Sequence, residues 1–146
     1  MREGRGLIFP GVSGAGKSTL ARQFLARDGA GLLSDDRILV RWQDGAHQAY
    51  GTPWPGGAQV AVNASAPLAA ILFPARGDDT VIRALSAQDA LDRLLPVPSV
   101  LWHEPELLSG QLESCERLLR QIPAFELSWS PATGVVDELH AFVGRL

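Results

Sequence analysis

Apolar positions in this chain fall into short runs punctuated by glycine and proline, and their spacing alternates between strand-like and helix-like. Leu7-Ile8-Phe9 is a three-residue apolar run closed by Pro10, which reads as a buried strand. From Ser18 to Arg27 the period lengthens: Leu20, Phe24 and Leu25 share one face, Arg22, Gln23 and Arg27 lie between, and Gly29 supplies a stop. Leu32-Leu33 is read as a second buried strand, ending in Ser34-Asp35-Asp36. Ile38 to Trp42 resumes as a strand, Asp44-Gly45 is a hairpin turn, and Gln48-Ala49-Tyr50 returns.

Residues Gly51 to Gly57 carry two prolines and three glycines, so no regular element fits there. Further strands are predicted near Gln59 to Asn63 and Ala69 to Phe73, and from Phe125 to Trp129. Three helices complete the pattern. The first runs from Ser86 to Leu95, with Ser86 as cap and Asp89 three residues on. The second covers Pro105 to Ile122, and Val135 to Val143 closes the chain. This order predicts an α/β fold, a sheet flanked by helices, with residues 1–146 forming one domain.

Composition narrows the function classes. The net charge is −3, which excludes nucleic-acid binding driven by bulk positive charge and leaves nucleic acid off the list of expected partners. No apolar run approaches the roughly 20 residues that cross a bilayer, so no membrane partner is expected. Cys115 is the single cysteine, which excludes an internal disulfide and makes a reduced, cytoplasmic setting the expectation. Of 13 basic residues 12 are arginine; the one lysine is Lys17.

That lysine lies in Gly11-Val12-Ser13-Gly14-Ala15-Gly16-Lys17-Ser18, which fits G-x-x-x-x-G-K-[ST] at every fixed position. Glycines let successive backbone N–H groups turn inward onto phosphate oxygens, and the helix that follows adds the positive end of its dipole. The nucleotide-binding set is Gly11, Ser13, Gly14, Ala15, Gly16, Lys17, Ser18 and Thr19, with Lys17 on the β and γ phosphates and the Ser18 hydroxyl on Mg²⁺. A compact ammonium sits between two phosphates where a planar guanidinium does not, which accounts for the single lysine.

Asp35 and Asp36 follow the predicted second strand. If that strand returns beside the first, they stand at the carboxyl edge, facing the phosphates. A carboxylate there holds the magnesium shell or accepts the proton of an attacking hydroxyl.

The loop, the stretch Leu32 to Arg37, and Tyr50 to Gly56 running into Ala61 to Leu68 together resemble the kinase domain of HPr kinase/phosphorylase, in particular its small stand-alone relatives. The resemblance covers roughly residues 6 to 95. It implies a P-loop sheet of the HPr kinase and phosphoenolpyruvate carboxykinase type. It also implies an ATP- and Mg²⁺-dependent kinase acting on a serine hydroxyl of a protein or peptide, and a tendency to form homo-oligomers. On that analogy Lys17 handles phosphate, Asp35 is the general base, and Asp36 positions metal or substrate, with Ser18 as its fellow metal ligand. Two other readings stay open from the residues themselves: a nucleotide-binding regulatory module that transfers nothing to a protein, and a small-molecule kinase. No Asn-Lys-x-Asp guanine-reading motif occurs.

Arg37 and Arg41 lie near the expected active edge, and Trp54 stands in the proline-glycine loop as a stacking or packing residue. His47, His103 and His140 share no metal-ligand spacing and read as structural, while Trp42, Trp102 and Trp129 read as core or core-edge.

Overall fold

The structure, a computed structural model, describes residues 4–27, 31–98 and 104–146. It is a mixed α/β sheet flanked by helices. The strands are β1 (Gly6–Ile8), β2 (Ile38–Gln43), β3 (Ala46–Gly51), β4 (Ser65–Arg76), β5 (Val81–Ala84) and β6 (Ala124–Trp129). The helices are α1 (Lys17–Arg27), α2 (Ala87–Leu94), α3 (Pro105–Gln121) and α4 (Val135–Val143).

β4 organises the sheet. Its second half pairs in parallel with β1 and with β6, while its first half pairs antiparallel with β3. β2 extends the sheet beyond β3, and β5 lies antiparallel along β6. The parallel strands β1, β4 and β6 therefore point their carboxyl ends the same way, the geometry that gathers loops into a ligand crevice in open α/β sheets. A register shift between Gly6 and Leu7 accompanies a turn of the β4 pleat, and Ala70 and Leu72 face one side while Ile71 and Phe73 face the other.

Each face carries its own core. Leu20 of α1 and Leu139 of α4 pack on Ala70, Leu72, Leu127 and Trp129. On the opposite face Ala90 and Leu94 of α2 and Leu118 of α3 pack on Ile71 and Phe73. Leu20, Ile71, Leu72, Leu127 and Leu139 are essentially buried, each contributing on the order of 1.5–3 kcal/mol.

Most predicted elements form within a residue or two. Ser86 caps α2 by accepting from the Asp89 N–H at 3.1 Å. Asp44 and Gly45 both take positive φ, 53° and 82°, the requirement of a two-residue hairpin turn. Three expectations need correction. Leu32-Leu33 is not a strand beside β1, which pairs with β4 instead; the segment makes a bridge from Ser34 to Ala61 and accepts the Val62 N–H on the Leu33 carbonyl at 2.9 Å. Residues 59–63, read as a strand, are loop apart from that bridge. The Ala69 to Phe73 run is part of a 12-residue strand, and β5 went unread because four residues with little alternation give no clear period. Trp102 and His103 lie outside the described residues.

Gly51 marks where these loops converge. A Cβ there would stand 2.1 Å from the Val62 carbonyl oxygen and 2.8 Å from that of Leu33. Both obstacles are backbone and cannot swing aside. Gly51→Ala is therefore expected to destabilise the fold by about 2 kcal/mol or more, read as a lower urea midpoint at unchanged slope. A wild-type midpoint would show that the two segments are not packed this way.

Candidate functional site

The phosphate loop lies between β1 and α1, on the carboxyl edge of the sheet. Gly14 and Gly16 have φ of +86° and +88°, a region in which a side chain is strained, and these residues let the chain fold back before α1 begins. Lys17 Nζ donates to the carbonyls of Gly11 at 2.6 Å and Val12 at 2.9 Å, so the ammonium is laid across the loop mouth. The loop rests on the sheet: the Cβ position of Gly11 is 3.9 Å from Pro74 Cδ, and that of Gly16 is 3.6 Å from the buried indole of Trp129.

The acidic pair reaches the loop by a route the sequence did not show. Asp35 is buried, at 8% exposure, and its carboxylate accepts three backbone N–H bonds, from Gly56 at 2.8 Å, from Val60 at 3.1 Å and from Ala58. Burial alone would push its carboxyl up; the amide bonds outweigh that and hold it below the ordinary carboxylate value. Asp35 is thus the anchor of the proline-glycine loop. Gln59, at φ of 60°, takes an unfavourable backbone conformation inside the segment it ties down. Asp36 is exposed, and its carboxylate has no hydrogen-bond or ion-pair partner among the described residues; only its N–H is engaged, by Ser34 Oγ at 3.3 Å.

Gly56 and Gly57 join the two halves. A Cβ on Gly56 would lie 2.9 Å from Asp35 Oδ2 and from Asp36 Cβ, while one on Gly57 would lie 3.7 Å from Ser18 Oγ and 3.8 Å from Arg22 Nη2. Two successive glycines therefore stand between the carboxylates and the loop serine, and side chains there would separate them. Thr52 Oγ1 adds a tie by donating to the Arg37 carbonyl at 2.7 Å. The loop residues, both aspartates, Arg37 and Trp54 line one cleft.

A family model described as AAA domain matches residues 7–95, more than half of the chain. The chain belongs to the AAA domain family. It is a P-loop nucleotide-binding family of kinase-like type that includes kinases and NTPases. The AAA domain match spans the phosphate loop, the acidic pair, the glycine pair and β4 through α2. No curated protein and no solved structure matches the chain.

The remaining candidates separate clearly. Arg41 stands on β2 outside the cleft, whereas Arg37 lines it. Trp54 is 59% exposed, so packing the loop onto the sheet is not its role. Trp42, read as core or core-edge, is exposed on the outermost strand and meets His47 edge-on at 5.0 Å. Burial holds His47 below the usual histidine value and pushes the Cys115 thiol up, away from the reactive thiolate. Trp129 is core. His140 packs on Phe24. Among the described residues no group of three or more His, Cys, Asp or Glu is placed to hold a metal ion. Mg²⁺ at this site would thus take most of its ligands from phosphate oxygens and water, as it does in phosphoryl-transfer sites. No helix among the described residues is long and apolar enough to cross a membrane.

Two features of the cleft are not legible in the sequence. One is the Asp35 anchor: Ser-Asp-Asp and a glycine pair 20 residues later carry no local signal of contact. The other is Arg76, at the end of β4, which needs the strand register to be placed at all.

Proposed function

We propose that this chain is an ATP- and Mg²⁺-dependent kinase that transfers the γ-phosphate to a serine hydroxyl of a protein or peptide, with residues 1–146 acting as one kinase-like domain. The observation that carries this reading is the free carboxylate of Asp36, held one residue from a latched aspartate and across two glycines from Ser18. A carboxylate free of protein partners there is able to accept the proton of an attacking hydroxyl, as transfer requires. The resemblance to HPr-kinase-related proteins supports the serine acceptor, a cytoplasmic setting and a homo-oligomeric state.

The residues fit the nucleotide. The N–H groups of the loop at Ser13 to Thr19 and the α1 amino terminus supply the phosphate cradle, and Lys17 exchanges two carbonyl partners for phosphate oxygens. Mg²⁺ would neutralise charge on the β and γ phosphates, with Ser18 as its ligand from the chain. In the transfer, the acceptor oxygen forms its bond to the γ-phosphorus as the bond to the ADP oxygen breaks, and the hydroxyl proton passes to Asp36. The base role assigned by resemblance to Asp35 moves to Asp36, because Asp35 already spends both oxygens on backbone N–H groups. Asp35 positions; Asp36 reacts.

Asp36→Asn is expected to keep ATP affinity within about threefold and to lower transfer by about 100-fold, the scale of a general base. Magnesium titration separates the roles: an unchanged half-saturating concentration supports the base, and a raised one makes Asp36 a metal ligand instead. Undiminished transfer would remove Asp36 from the chemistry altogether.

A further inference from the structure

Beyond the loop lysine, the cleft holds arginines that the motif does not specify, and Arg76 is one of them. Arg76 is the last residue of β4, exposed, and it makes no hydrogen bond or ion pair among the described residues. Three observations fix its place. The first is height: β1 and β4 run parallel with Ile8 beside Ile71, and the contact of Gly11 with Pro74 continues that register into the loop. Arg76, two residues on, is then level with the loop and not with the strand beneath it. The second is side: Leu72 faces α1 and α4, and the two-residue alternation puts Pro74 and Arg76 on that same face. The third is its neighbour: Arg76 pairs across the sheet with Trp129, whose indole lies under Gly16 of the loop.

Arg76 thus rises beside the residue on which the phosphate loop rests, on the loop's own face. Arg22 reaches Gly57 from α1, on the side of Ser18 and the carboxylates. In a phosphate loop the N–H groups enclose the inner phosphates, which leaves the outermost one for a donor outside the loop.

We propose that Arg76 binds the terminal phosphate of the nucleotide and balances the charge that develops there during transfer. A planar fork of donors suits this task, since it can span two oxygens of one phosphoryl group. The inference rests on the kinase reading and adds to it the residue that distinguishes a triphosphate from a diphosphate.

Calorimetric titration of the full chain with ATP and with ADP, each with Mg²⁺, tests it directly. Arg76→Ala is expected to weaken ATP binding by about 10- to 100-fold while leaving ADP within threefold, and Arg76→Lys to restore part of the loss. Equal losses for both nucleotides, or none, would overturn the assignment. Thermal unfolding of each variant checks the fold, and an exposed strand end predicts an unchanged midpoint. If the wild type bound neither nucleotide, the kinase reading itself would fail, an outcome separate from a wild type that binds both and an Arg76→Ala that matches it.

Discussion

Replacing Lys17 with alanine should weaken ATP binding by about 100-fold, or close to 3 kcal/mol, the value of a hydrogen-bonded charge on a phosphate. The ammonium lies across the loop mouth on two carbonyls, 2.6 and 2.9 Å away. Both are exposed or half-buried backbone groups that water can satisfy once the side chain is gone, so the fold should lose little. The variant is thus expected to unfold near the wild-type midpoint while failing to retain nucleotide. Lys17→Arg should not rescue it, because a guanidinium is too broad for the place between two phosphates. Wild-type affinity in Lys17→Ala would remove the phosphate loop from the account.

The second large effect is structural and falls on Asp35. Asp35→Ala strands three backbone N–H groups that the buried carboxylate now satisfies, and each stranded donor costs about 1–3 kcal/mol. A loss of about 3 kcal/mol or more is expected in chemical denaturation, together with loss of transfer as Gly56 and Asp36 drift from Ser18. Asparagine is a gentler change, since its amide oxygen accepts from some of the three while its NH₂ faces donors. The pH dependence follows from the same bonds. Because folding lowers this carboxyl below its unfolded value near 3.8, its contribution is present in full above that value. It fades as the pH falls through the lower folded value. Wild type should therefore lose stability below about pH 4 more steeply than Asp35→Asn, whose side chain does not titrate. Parallel acid profiles for the two proteins would show that the carboxylate does not anchor the loop.

These effects show what a linear sequence displays and what it conceals. The loop was legible because its chemistry is local: eight consecutive residues contain the turn, the cation and the hydroxyl. The closing helix Val135–Val143, the Ser86 cap and the Asp44-Gly45 turn were legible for the same reason. The sequence points to Asp35 and Asp36 but not to the division between them, because that depends on backbone N–H groups 21 to 25 residues away. The misread strand at Leu32-Leu33 has a related cause. Two leucines satisfy a strand pattern, but the neighbour of β1 is β4, a strand more than 55 residues along the chain that no local pattern links to it. Arg76 was one arginine among 12 until the register set it beside Trp129.

The central claim is that the chain moves a phosphoryl group, and γ-labelled ATP measures this most directly. Incubated with Mg²⁺, labelled ATP and an extract of its own cells, the wild-type chain should place label on serine in a protein or peptide. Asp36→Asn should place almost none while still binding ATP. Label appearing only as free phosphate, or no label on any acceptor from a wild type that binds ATP, would contradict the account and leave a nucleotide-binding domain without transfer.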